Sequence, residues 1–175
     1  MTSPSCRSSS EPCPPRPAIR LARPEDAQRC GEIAVAAWRC IFEGWRELIG
    51  ERAWQDCFGD WEQQKRSSVT RQITVHPQAA IVTELGGEIV GFLTWRLDPE
   101  RGVGEISNNA VDPPHQGRGI GSAQVRRALE VFRAEGMTSA RVLTGGDEGH
   151  APARAMYRKA GFTRGIPLVE YFREL

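Results

Sequence analysis

The chain runs to 175 residues, 39% of them hydrophobic and 26% charged, the proportions of an ordinary globular domain. Its formal net charge of +1 supplies no basic excess to hold nucleic acid or an anionic membrane surface. No apolar run approaches the roughly 18 residues that a membrane span requires, so a soluble cytoplasmic protein is expected.

The opening "MTSPSCRSSSEPCPPRP" has no apolar h-region and does not read as a signal peptide. Its Ser, Pro and Arg content builds no core, so residues 1–17 are read as a disordered tail and 18–175 as one domain. Cys6, Cys13, Cys30, Cys40 and Cys57 make an odd count with no C-x-x-C spacing. That argues against a disulfide framework and against a zinc site, and no metal is expected. Cys30, Cys40 and Cys57 fall in apolar helical patterns and read as buried, inert thiols.

"AIRLARPEDA" predicts a short strand at about 18–22, then a turn at Arg23-Pro24, with Glu25 and Asp26 in a first helical turn. Cys30, Ile33, Ala34, Ala37, Trp38 and Ile41 recur at helical spacing. Phe42, Trp45, Leu48 and Ile49 continue the pattern past Gly44, where an interruption is expected. A second helix is predicted over much of 45–57, and "WEQQKRSSVTRQIT" a third. Trp38, Trp45, Trp54 and Trp61 all lie in this region and read as core packing, with one or two free to wall a cleft.

After His76-Pro77 the texture changes. "AAIVTEL", Gly86-Gly87 and "EIVGFLTWRL" predict a β-hairpin. "EISNNAV" is the next strand. The helix after it presents Val125, Leu129 and Phe132 on one face and ends near Gly136. "ARVLTG" reads as a buried strand, "APARAMYRKAGF" as a helix closed by Gly161, and "LVEYFREL" as a final strand. The order implies an α/β (α+β) arrangement around one sheet. His76 and His115 carry no motif and are expected in solvent.

"VDPPHQGRGIGSAQ" joins a strand to a helix start, where free amides and the helix dipole attract an anion. Three anion-binding patterns compete there. A Walker loop needs a lysine that is missing, and the dinucleotide fingerprint counted from Gly117 would need glycine at Ser122. The third pattern, Q-x-x-G-x-G, is met by Gln116, Gly119 and Gly121.

That pattern with the preceding "VDP" resembles the acetyl-CoA loop of the GNAT superfamily of N-acetyltransferases. "ARAMYRKAGF" (153–162) resembles the family's A-x-x-x-Y-x-x-x-G-F signature, "IRLARPEDA" its opening and "YFREL" its ending. The resemblance covers 18–175 and implies a mixed, mostly antiparallel sheet flanked by helices. It also implies a splay between the strand ending at Val111 and the strand near 140–144, with Asn108-Asn109 as the place for it.

By the same resemblance, the amides of Gly117, Arg118, Gly119, Ile120, Gly121 and Ser122 would hold the diphosphate of acetyl-CoA. Arg118 would add charge. Asn109, Ala110 and Val111 would pair with the pantetheine arm, and Gln116 and Ala153 complete the cofactor set. His150 stands where the family often has a cofactor-contacting asparagine. Cofactor contact, a cap on the last helix and proton transfer are all open to it.

Acetyl transfer to an amine requires loss of a proton from the amine, a donor for the oxyanion and a proton for the thiolate. Tyr157, the signature tyrosine, is implied for the third and the Val111 N–H for the second. Glu105 is the candidate base, provided that burial beside Trp95 raises its pKa. Ordered water is the alternative. Strand parity places Glu105, Ser107, Asn109 and Val111 on one face unless a bulge intervenes.

The expected function is N-acetyltransferase, acting by direct attack of a primary amine, with a small-molecule acceptor preferred. A non-catalytic acyl-CoA sensor and a protein (N-terminal or lysine) acetyltransferase are the alternatives. A homodimer, common in the family, is left open.

Overall fold

The structure is a computed structural model that describes residues 16–175. The tail expected over 1–17 lies outside the described residues but for its last two. Five strands, β1 (Ala18–Leu21), β2 (Ala80–Leu85), β3 (Glu88–Asp98), β4 (Val103–Val111) and β5 (Ser139–Val142), form one sheet in that order. All neighbours are antiparallel except the parallel pair β4 and β5. Among the described residues no helix is long and apolar enough to cross a membrane.

Two helical layers sandwich the sheet. On one face α1 (Ala27–Ile49) and α3 (Trp61–Val75) bury Cys30, Ile33, Val69 and Ile73 against Val82, Phe92 and Ala110. On the other, α4 (Ile120–Ala134) and α5 (Ala151–Lys159) bring Val125, Phe132 and Tyr157 onto Ile81, Leu93, Trp95 and Ile106. Each fully buried Ile, Val or Phe contributes about 1.5–3 kcal/mol, so the two stripes set the sandwich.

Gly44 does not interrupt α1, which runs on to Gly50, whose φ of +84° stops it. The second helix, α2, is therefore the short Glu51–Phe58. A glycine inside a helix costs only about 1 kcal/mol, too little to break a helix held by its apolar stripe. The thiols also divide: Cys30 is buried, and burial pushes it up to about 12, whereas Cys40 and Cys57 are exposed. β5, expected as a buried strand, is half exposed. His115 is half-buried instead of solvated.

"LVEYFREL" forms no strand, and residues 162–175 are irregular. A strand exists only with a ladder partner, and this segment instead lies by α2. There Phe172 meets Phe58 edge-on at 5.8 Å, and Phe172–Leu175 line a hollow with Arg52, Ala53, Asp56 and Cys57.

One irregularity positions the site. Thr94 pairs with Asn108 but Trp95 with Ile106, so Ser107 is an extra residue in β4. The bulge reverses the alternation: Ile106 faces α4, whereas Ala110, four residues on, faces α1 and α3. Glu105 is thereby separated from Asn109 and Val111, which it was expected to join on one face. β5 pairs only with Val103–Ile106, so the two strands part at Ser107, one residue before the expected Asn108-Asn109.

Candidate active site

The loop before α4 uses its glycines in two ways. Gly117 and Gly119 have φ of +74° and +78°, the left-handed region open to glycine, and neither position has atoms within 4 Å of where a Cβ would stand. Gly119 caps α4 without any side-chain hydrogen bond. The first helical bond runs from the Ala123 N–H to the Gly119 carbonyl, which leaves the amides of Ile120, Gly121 and Ser122 without intrahelical acceptors. Gly121 has ordinary dihedrals, and its reason is close packing: a Cβ would stand 3.2 Å from Met156 Sδ and 3.7 Å from Asn109. Arg118 is exposed and takes part in no ion pair among the described residues. Gln116 turns away from the loop and donates to the Val111 carbonyl at 3.0 Å, bracing the loop on the end of β4.

The parted strands expose main-chain groups beside this loop. Asp112 N–H donates to the Val90 carbonyl, so residues 112 and 110 bond toward β3. By alternation, the N–H and C=O of Asn109 and Val111 point the other way, into the gap where β5 has left. Two buried side-chain oxygens at the same place, Ser107 Oγ and Asn109 Oδ1, have no hydrogen-bond partner. Such atoms are costly unless water or a ligand satisfies them.

Tyr157 of α5 is 8% exposed. Burial pushes its phenol up to about 12, and the neighbouring Asn109 amide offsets part of the rise. The phenol is therefore a hydroxyl, able to donate a proton, throughout the neutral range. Asn109 Nδ2 reaches Met156 Sδ at 3.6 Å and the Gly121 carbonyl at 3.5 Å. Asn109 thus links β4, α4 and α5 at one point.

A sequence model of the acetyltransferase (GNAT) family matches residues 46–162, a span that holds the glycine loop, the splay and Tyr157. The chain belongs to the GNAT acetyltransferase family. Among its relatives, the mycothiol acetyltransferase of Beutenbergia cavernae is 44% identical over 69 residues, 39% of this chain and 23% of that protein. The mycothiol acetyltransferase of Amycolatopsis mediterranei is 30% identical over 128 residues, 65% of this chain and 42% of that protein. The chain thus spans less than half the length of either relative.

The fold is that of the PaiA N-acetyltransferase of Thermoplasma acidophilum in complex with coenzyme A, at TM-score 0.68 and 17% identity, over 85% of this chain and 90% of that one. It is also that of the diaminobutyrate acetyltransferase EctA of Paenibacillus lautus, solved with L-2,4-diaminobutyric acid and coenzyme A. There the TM-score is 0.59 at 14% identity, over 83% and 75% of the two chains.

In this GNAT chain Glu105 does not have the environment that a raised pKa needs. Burial does oppose its ionisation, but hydrogen bonds from Arg141 and from Arg96 (2.9 Å) outweigh it and hold the carboxyl below its ordinary range. Trp95 lies on the opposite face of the sheet, beside Ile106 and Phe132. Ala153 packs into the core between α5 and the sheet. His150 caps α5, well apart in sequence from the glycine loop, and its ring pairs with Asp147.

Two charged groups in unusual surroundings were missed from sequence. Lys65 of α3 donates to Asn108 Oδ1 at 2.9 Å and covers the Trp38 ring at 3.6 Å, and burial lowers its pKa to about 8. Asn108 in turn donates to Gln72 Oε1 at 3.1 Å and Thr94 Oγ1 at 3.0 Å. A signal existed: the chain has only 2 lysines among its 23 cationic residues, and one of them falls in this helix. The second is Asp147, on the connection between β5 and α5. Burial opposes its ionisation, but bonds from His150 and the Trp45 indole prevail and keep the carboxyl below its usual range. Around Trp45, Phe42, Phe58 and Trp61 pack at ring separations of 4.2 to 5.8 Å. Only Trp61 of the four tryptophans is fully buried; Trp38, Trp45 and Trp54 are half-buried.

Proposed function

We propose that the chain transfers the acetyl group of acetyl-CoA to a primary amine of a small molecule, by direct attack in a ternary complex. The observation that carries this reading is the alignment of three features. These are an uncapped helix start with two left-handed glycines, main-chain groups of Asn109 and Val111 turned into the splay, and the buried Tyr157 phenol beside Asn109.

The amides of residues 117–122, with Arg118, would hold the diphosphate. Asn109 to Val111 would pair with the pantetheine amides as an added strand does, and Asn109 Oδ1 and Ser107 Oγ offer acceptors that have no other partner. The Val111 N–H would meet the oxygen on which charge develops. Tyr157 would supply the proton that the departing thiolate takes up. The bound thioester provides the activated acyl group; binding and proton placement are the work of these residues. A small-molecule acceptor is supported by the relatives named mycothiol acetyltransferase and by the EctA neighbour solved with 2,4-diaminobutyric acid.

The test is calorimetry with coenzyme A, followed by thiol release from acetyl-CoA with an amine panel. The panel holds 2,4-diaminobutyrate, kanamycin, spermidine, and peptides with a free N-terminus or lysine. Coenzyme A binding with turnover of a small amine is expected. Absence of binding overturns the reading, and turnover of peptides alone overturns the acceptor class.

A further inference from the structure

One cluster ties α1 to the start of α5 and is not used by the chemistry above. His150 Nδ1 stands 2.7 Å from Asp147 Oδ2, and the Trp45 indole N–H donates to the same oxygen at 3.2 Å. The imidazole stacks on the Trp45 ring with centroids 6.1 Å apart. Asp147 is fixed in turn. Its Oδ1 accepts the His150 backbone N–H at 3.2 Å, while Arg154 donates to the carbonyls of Gly145 (2.8 Å) and Asp147. A Cβ at Gly145 would collide with both His150 Nδ1 and Asp147 Oδ2, so glycine is needed there for the pair to close.

Capping α5 explains only part of this. A cap requires a carboxylate on the backbone N–H of residue 150, which any side chain at that position would allow. The ring-to-carboxylate bond, the indole donor and the glycine beneath them are additional. Together they fix an imidazole 13% exposed in one orientation. A carboxylate accepting at Nδ1 selects the tautomer with its proton there, and leaves the Nε2 lone pair free. Among the described residues Nε2 makes no hydrogen bond.

The charges around the ring are few. From its own segment the ring meets Asp147, while the Arg154 guanidinium is engaged by the Gly145 and Asp147 carbonyls; from α1 the ring meets Trp45. Glu148 is exposed.

We propose that His150 Nε2 accepts the proton of the incoming amine, with Asp147 as the positioning residue. The inference rests on the acetyl-transfer reading above. An alkylammonium must shed a proton near neutral pH before it attacks. Glu105 is tied between two guanidinia, and Tyr157 holds its proton, so neither takes it. The proton passes from nitrogen to Nε2. The freed lone pair forms the N–C bond at the thioester carbonyl while the C–S bond breaks, and the thiolate leaves with that electron pair. Tyr157 protonates the thiolate, the second proton of the amine returns to the phenol through water, and His150 releases its proton to solvent.

The experiment uses the full chain with H150Q, H150N, D147N, K65M and, as a neighbouring control, E148Q. Nitrogen NMR of the imidazole, without any substrate, is expected to show the neutral ring protonated at Nδ1 and bare at Nε2, a preference lost in D147N. With the panel amine that turns over fastest, H150Q and H150N are expected to lose about 100-fold or more in kcat/KM for the amine. They should also lose the acidic limb of its pH profile, while coenzyme A affinity stays within about threefold. D147N is expected to lose about tenfold, and E148Q nothing. A ring protonated at Nε2 overturns the proposal. So does full activity in H150Q, a loss confined to coenzyme A affinity, or an acidic limb that survives H150Q and disappears in K65M. Absence of coenzyme A binding or of turnover in the unaltered chain marks failure of the acetyl-transfer reading itself, which the substrate-free NMR result distinguishes.

Discussion

The Lys65 ammonium lies 2.9 Å from the Asn108 amide oxygen and 3.6 Å above the Trp38 ring, and no ion pair among the described residues includes it. Burial lowers its pKa from 10.5 to about 8. Between those values the unfolded chain binds the proton and the folded one does not. Stability is therefore expected to rise with pH through that window. The full difference is on the order of 3 kcal/mol. Denaturation of K65M should lack this rise, so the gap between the two proteins should shift in favour of the unaltered chain from pH 7 to 10. Parallel pH curves would rule this account out.

The two kinds of glycine should respond differently. G119A forces a Cβ onto a residue at φ +78°, a strain of about 1–2 kcal/mol, and places it where the diphosphate is proposed to sit. A lower Tm and a tenfold or greater loss of coenzyme A affinity are expected. G121A keeps permitted dihedrals and meets only the flexible end of Met156 at 3.2 Å as its nearest contact. Its cost is expected to stay below about 1 kcal/mol. Calorimetry and thermal melts on both variants check the contrast.

Tyr157 should show itself twice. Its phenol is raised from 10.0 to about 12, so the folded state holds a proton that the unfolded state loses, and stability falls as pH rises through that interval. Y157F should flatten that fall. It should also lower kcat by about 10- to 100-fold without weakening coenzyme A binding. An unchanged kcat would remove Tyr157 from the chemistry.

Glu105 is expected to matter for stability more than for turnover. Its carboxyl is held below the ordinary range by Arg141 and Arg96, against burial. The contribution is thus present above the unfolded pKa of about 4.5 and is lost as pH falls below it. With a side chain 20% exposed, E105Q should cost about 1 kcal/mol at pH 7, a cost that shrinks as pH falls into the acid range. Turnover should stay within about fivefold. A drop of 100-fold with stability intact would restore Glu105 as the base.

Much of the architecture was legible because it rests on local rules. The Gly86-Gly87 hairpin, the helix opened by Gly119 and the helix closed by Gly161 each follow from short-range backbone preference. What was hidden depends on distant partners. "LVEYFREL" alternates well, yet alternation does not supply a neighbouring strand. Cys40 and Cys57 share the helical pattern but fall outside its buried stripe. The Glu105 pairing required β3 and β5 to bring Arg96 and Arg141 to it from either side. Lys65 and Asp147 take their character from Trp38, Asn108 and Trp45, residues 27 and 43 positions before Lys65 and after it, and 102 before Asp147.

The supernumerary Ser107 makes β4 a switch in reading frame. Upstream of it odd-numbered side chains look toward α3, downstream they look toward α4. Excising that single residue would make Trp95–Ile106 and Thr94–Asn108 successive rungs of an unbroken ladder, leaving Asn108 at Lys65 and Asn109 at Tyr157 while removing the local bend and the Ser107 hydroxyl. A relative lacking one residue here would therefore keep both carboxamides at their posts, and a one-position gap would bear on the bend at which β4 leaves β5.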